Sequence, residues 1–132
     1  MNIVKKLVLV AACAVLSPLV SAGPAEAVGG PYYGAIAYSE STAKYGYAWT
    51  GAGQAAADAR ARLYCQQTGA TDCVVRVSAY GGWIALATTI PSNPWGWGRA
   101  GTRQGAVNFA LSGCRTYGGG DACALAIAVD LT

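Results

Sequence analysis

The strongest constraint on this chain is that it repeats itself at an offset of about fifty residues. Tyr45-Gly46-Tyr47 returns as Trp95-Gly96-Trp97, Gln54 as Gln104 and Cys73 as Cys123, each fifty positions on, while Cys65 and Cys114 stand forty-nine apart. Four markers at offsets of forty-nine or fifty divide the sequence into two units, about residues 32–81 and 82–132, each expected to build the same local structure.

Each unit reads as β-β-α-β. YGAIAYS from Tyr33 and WIALATT from Trp83 are short apolar, Ala-rich runs suited to buried strands. A polar loop follows each (ESTAK in the first unit, IPSNP in the second), and then the aromatic-Gly-aromatic segment as a second, edge-type strand. QAAADARARLYC is made of good helix formers, with Thr50 as a candidate cap. Ala55, Ala56, Ala59 and Leu63 fall on one helical face, and Asp58 faces Arg62 one turn on. In the second unit Ala106, Val107, Ala110, Leu111 and Cys114 make the corresponding stripe. Faces built mainly of alanine predict close packing of helix on sheet.

After a Gly-containing turn, each unit ends in a strand that starts at its second cysteine. CVVRVSAY sets Val75, Val77 and Ala79 against Arg76, Ser78 and Tyr80, and CALAIAVDL sets Leu125, Ile127, Val129 and Leu131 on one face. The fold expected is a single disulfide-stabilised α+β domain: two β-β-α-β pseudo-repeats giving an antiparallel sheet with two helices packed on it.

The start of the chain is a different kind of sequence. Lys5 and Lys6, the run LVLVAACAVL and the small-residue stretch SAGPAEA are the three parts of a secretory signal peptide. Cleavage is expected after Ala27, with Ala22 as the alternative, leaving one domain over residues 28–132. Ser17 and Pro18 break the apolar run, so a stable membrane span is not expected. VAAC at Cys13 resembles a lipobox, but cleavage there would leave AVLSPLV on the mature end, and an ordinary export signal fits better.

Export sets the chemistry of the cysteines. With Cys13 gone, Cys65, Cys73, Cys114 and Cys123 form an even set in a small exported domain, which reads as two disulfides. Their spacing is wrong for close C-x-x-C zinc pairs, and there is no histidine. Three connectivities are open. Pairing within each unit closes the shorter loops and is favoured on loop entropy, whereas Cys65–Cys114 with Cys73–Cys123 would join the halves.

Absences narrow the function. The chain contains no histidine, so Ser-His-Asp, Cys-His and HExxH arrangements are excluded. Asp72 and Asp121 sit just before Cys73 and near Cys123, where a glycosidase-like carboxylate pair is conceivable, but Asp before a turn is ordinarily turn chemistry. No Gly-Lys-Ser/Thr follows the glycine runs, so no phosphate loop is read. Net charge is +3 for the whole chain, spread singly, which is not a nucleic-acid footprint. No cofactor, no metal and no enzymatic activity are expected.

The aromatics remain. Trp49 and Trp83 are read as supplying the bulk that the alanines of a small Ala-rich core lack. Trp95 and Trp97, flanked by Pro91, Pro94 and Gly98, suit core and ligand equally well. With Arg99 beside them and Tyr47 at the matching place in the first unit, they are the candidate ligand-binding residues.

YGAIAYS, YGYAW, the Ala-rich helix ending in Cys, DCVV and the second Trp-Gly unit together resemble domain-of-unknown-function family 4189. The resemblance covers the mature chain and implies a small exported bacterial protein of a kind common in mycobacteria and other actinobacteria. Members often carry a further cysteine near the Gly-Ala-x-Ala run and another near the C-terminus. Here Gly81-Gly82-Trp83 and Asp130-Leu131-Thr132 stand there, so a third bridge is not expected. The resemblance implies no catalytic residues, and for some members it implies host interaction. The function expected is a secreted binding or effector protein acting on a protein or cell-envelope ligand. The alternative is a periplasmic or extracellular inhibitor of a hydrolase.

Overall fold

The structure is a computed structural model, which describes residues 30–89 and 94–132. The expected signal peptide, Pro91 and Asn93 lie outside the described residues. In chain order the elements are β1 (Tyr33–Ser39), β2 (Tyr45–Thr50), α1 (Gln54–Gln66), β3 (Cys73–Tyr80), β4 (Trp83–Thr88), β5 (Trp95–Ala100), α2 (Arg103–Cys114) and β6 (Ala124–Asp130). This is the β-β-α-β layout twice. The strands form two antiparallel three-stranded sheets, one per repeat, ordered β2-β1-β3 and β5-β4-β6.

Three clusters of buried side chains show how the layers stack. Ala35, Ala37 and Ala48 of the first sheet meet Ala57, Ala61 and Cys65 of α1. Ala85 and Ala87 of the second sheet meet Ala106, Ala110 and Cys114 of α2. Between the sheets lie Ile36, Tyr38, Val77, Ile84, Leu86, Val129 and Leu131. The order is helix, sheet, sheet, helix, and the largest fully buried apolar side chains, Tyr38, Ile36, Ile84, Leu86 and Leu131, lie in the middle.

Small residues alone on the helix faces bring backbone close to backbone. The glycine of each aromatic-Gly-aromatic segment is the point of closest approach. A Cβ on Gly46 would lie 2.2 Å from the Cys65 amide nitrogen, and one on Gly96 would lie 2.2 Å from that of Cys114. The glycines therefore face the helices, and by strand alternation their aromatic neighbours face away.

Both sulfur pairs close within a repeat, Cys65–Cys73 and Cys114–Cys123, each with 6.0 Å between Cα atoms. Crossed pairing and a thiolate metal site are ruled out by these bonds. Gly81 and Gly82, with φ of 79° and 71°, turn the chain from β3 into β4, a left-handed conformation that favours glycine. The ends fasten here too: Gly81 N donates to Tyr32 O, Leu131 N to Gly82 O and Tyr32 N to Leu131 O.

Two details of facing differ from expectation. In α1 the buried positions are Ala57, Ala61 and Cys65, and Leu63 is 49% exposed, so the stripe through Ala55, Ala56, Ala59 and Leu63 is not the core face. Alanine occurs all round this helix, so hydrophobicity cannot set its phase. The bridge from Cys65 and the contact with Gly46 set it instead. In α2 the expected stripe is the buried one.

The final strands each contain a bulge. Pairing steps from Ile36↔Val77 to Ala37↔Val75, passing over Arg76, and from Leu86↔Ile127 to Ala87↔Leu125, passing over Ala126. Val75 and Leu125 therefore join the helix-side cores, while Val77, Ala79, Ile127 and Val129 face the other sheet. Strict alternation along the sequence could not anticipate this, because an extra residue reverses the facing of all that precedes it.

The match between Gln54 and Gln104 is also not structural. Equivalent helix positions are 49 apart, since the β5–α2 connection is one residue shorter. Gln54 ties α1 to the sheet, its Nε2 donating to Gly34 O at 2.9 Å and to Asp58 Oδ1 at 3.1 Å. Ser78 Oγ donates to the same carboxylate at 2.7 Å, so Asp58 serves the sheet rather than Arg62. Gln104 reaches only Asn108, on the surface. Thr102 Oγ1 accepts from Gly105 N and caps α2, whereas α1 starts after Gly53 without a side-chain cap.

Asp72 is a turn residue. Its carboxylate accepts from the buried Ser39 hydroxyl and from Ser41 N at 3.1 Å. The Ser39 bond is the main reason its carboxyl lies below the ordinary 3.8. A depressed folded value means that the stabilisation is complete above about pH 4 and lost as pH falls through the folded value. Asp72→Asn should therefore melt below wild type at neutral pH, and the gap should close in acid. Thermal melts from pH 7 to pH 2 measure it; a gap that does not change with pH would count against a charge-dependent clasp.

Candidate functional site

The candidate site is built on β5 and its neighbours. Because Gly96 and Gly98 are pressed against α2, Trp95, Trp97 and Arg99 all project from the opposite side of the strand. Their surroundings differ, and so do their roles.

Trp95 is a structural hub. Its Nε1 donates to Glu40 Oε2 at 2.9 Å, and the same oxygen accepts from Arg76 at 2.8 Å. The Arg76 guanidinium lies over the Trp95 ring, 4.8 Å from its centroid, and the Tyr38 ring is 5.8 Å away. Arg76 is the extra residue of the β3 bulge, and the bulge turns it from its own sheet toward the other repeat. The matching contact in the other direction is Tyr45 Oη donating to the carbonyl of Ala126, the extra residue of the β6 bulge, at 3.1 Å. Each edge strand thus opens with an aromatic that reaches the bulge of the other repeat. Tyr38 is fully buried, and burial together with the Glu40 carboxylate pushes its phenol above the ordinary range.

Trp97 is the exposed member, with 45% of its surface in solvent. It forms the shared wall of two hollows. One, of about 330 Å³, is lined by Glu40, Pro94, Trp95, Trp97 and Tyr117. The other, of about 280 Å³, is lined by Trp97, Gly98, Arg99 and Phe109. Arg99 donates to Ser78 O at 3.2 Å across the repeat boundary.

Tyr47 lies on the other flank, on β2. Its ring stacks on Trp49 with centroids 6.1 Å apart, and the two share hollows with Tyr64 and Arg60 of α1. Trp49 is exposed and is not core filler; Trp83 is partly buried against α2. β2 passes over β6 through Tyr45–Ala126, and β5 over β3 through Arg99–Ser78, so Tyr47 and Trp97 belong to opposite edges. The four candidate residues therefore form two surfaces.

Sequence reasoning missed Glu40, Arg76 and Phe109. Nothing in a strand pattern marks Arg76 as a bulge residue. Phe109 was detectable, because aligning the helices on their cysteines places it opposite Arg60.

The structural result of these contacts is testable. Trp95→Ala removes a ring contact, a cation–π contact and the hydrogen bond to Glu40, and should cost about 2 kcal/mol or more. Trp97→Ala should stay within about 0.5 kcal/mol of wild type. Equal losses in urea titrations of the two variants would contradict this division.

Fold and surface together define a disulfide-bridged α+β domain of two β-β-α-β repeats, with half-exposed aromatics along both edge strands. The chain belongs to the domain of unknown function family DUF4189, whose model matches residues 33–129. No curated protein and no solved structure matches it. Among the described residues no helix is long and apolar enough to cross a membrane.

Proposed function

We propose that this is a secreted, non-catalytic binding module that holds a protein or cell-envelope ligand on the β5 surface around Trp97. The observation that carries this reading is a large ring left half in solvent on a strand that is itself immobilised by its glycine contacts with α2. A rigidly presented aromatic beside a guanidinium loses little freedom on binding. Export rests on the tripartite leader and on two disulfides, which persist in oxidising compartments. The non-catalytic reading rests on the missing histidine and on the structural engagement of Glu40, Asp58 and Asp72.

The test is retention of cell-envelope fractions or culture-medium proteins on immobilised, oxidised protein. Trp97→Ala should lose the retained material while melting like wild type. Undiminished retention by that variant would rule out the β5 surface.

One observation favours the inhibitor alternative. Tyr117 is 75% exposed in the loop closed by Cys114–Cys123, the form of a constrained inhibitory loop. That reading requires a hydrolase among the retained proteins, captured by wild type and not by Tyr117→Ala.

A further inference from the structure

Superposing the repeats by their cysteines reveals an exchange. Trp49 of β2 corresponds to Arg99 of β5, fifty residues on. Arg60 of α1 corresponds to Phe109 of α2, each three residues after the first buried alanine of its helix and one before the second. Ring and guanidinium have changed places between strand and helix, so each repeat keeps both. The first hollow, about 270 Å³, is lined by Tyr47, Ala48, Trp49, Arg60 and Tyr64; its counterpart beside Trp97 is about 280 Å³. In each, the arginine is the sole charged side chain among the described lining residues.

We propose that these hollows are two equivalent sites for an anionic saccharide, a polymer whose sugar rings carry carboxylates. This rests on the binding reading above and specifies its ligand. The rings are half in water: Trp49 is 49% exposed and Phe109 61%. A sugar can lay the C–H face of its ring on such an aromatic, whose face is electron-rich, while its hydroxyls stay hydrated. An acidic peptide would instead need side chains anchored in desolvated pockets. Arg60 and Arg99 supply a planar fork that matches a carboxylate. Glu40, in the hollow adjoining Arg99, is already paired with Arg76 and leaves the anion to Arg99. Each site has room for about one ring, and the two lie on opposite flanks. A short oligomer occupies one at a time, and a long chain cross-links molecules.

The experiment is calorimetric titration with a uronic-acid tetrasaccharide, its carboxyl-reduced counterpart and a pentaglutamate peptide, on variants whose melts are recorded in parallel. The tetrasaccharide should bind with two equivalents per chain, falling to one in Trp97→Ala, one in Trp49→Ala and none in the double variant. Arg99→Gln should weaken one class of site about tenfold or more, as should carboxyl reduction for both. A stoichiometry of one, or equal binding of the reduced sugar, overturns the proposal. Pentaglutamate binding at the same two sites overturns it in favour of acidic peptides. If uronate fails while envelope material is still retained through Trp97, only the ligand class and the duplication fall. If neither is retained, the binding reading falls with them.

Discussion

Replacing Gly96 by alanine should destabilise this protein by about 3 kcal/mol or more, lowering the melting temperature of so small a domain by about 12 °C or more. The new Cβ would sit 2.2 Å from the Cys114 amide nitrogen and 2.3 Å from the Ala110 carbonyl oxygen. Both are helix backbone, so no side-chain rotation relieves the clash. Either β5 must leave α2, opening a core of alanines with no spare bulk, or α2 must shift against its disulfide. Gly46→Ala should behave alike, because its Cβ would meet Cys65 N at 2.2 Å. Gly101→Ala is the control, with nothing within 4 Å of its Cβ. If Gly96→Ala melts with Gly101→Ala, the close helix-on-strand contact is not what holds each repeat together.

Loss of both disulfides should have a still larger effect. Cys65–Cys73 and Cys114–Cys123 span separations of 8 and 9 residues. Loop-closure entropy assigns each about 2.5 kcal/mol, about 5 kcal/mol together, which is as large as the whole stability of a marginal domain. Urea unfolding with and without reductant measures it, and the midpoint should fall by about 2 M or more. The bridges hold helix to strand through the clusters built of the smallest side chains, alanine and cysteine, so their loss should fray the outer layers first. Hydrogen exchange on the reduced protein should show α1 and α2 losing protection before β1 and β4. Uniform loss across all elements, or an unchanged midpoint, would contradict the layered account.

Much of the architecture was legible in the residues. The repeat, the order of elements, the strand limits of YGAIAYS and the pairing favoured for the cysteines all follow from local pattern and short loop length. The meaning of the aromatic-Gly-aromatic segments was only half legible. Their edge-strand placement could be read, but not that the glycine faces the helix and the rings face the side of the other sheet. The phase of α1 was hidden because alanine surrounds that helix. The bulges at Arg76 and Ala126 were hidden because an inserted residue leaves no mark on composition.

The candidate site divides in the same way. Trp95, Trp97, Arg99 and Tyr47 were singled out as large or charged groups on a repeated segment, and all four lie on the side of their strand turned away from its helix. Tertiary structure alone separated Trp95, joined to Glu40 and Arg76, from the exposed Trp97. Glu40 and Arg76 come from other strands and meet Trp95 across the boundary between repeats. The sequence by itself determined what each repeat is, because a β-β-α-β unit with one short-loop disulfide is specified by contacts between near neighbours. Only the tertiary structure decided how one repeat lies on the other. That depends on two bulges and on side chains far apart in the chain, so which aromatics became mortar and which became surface was settled there.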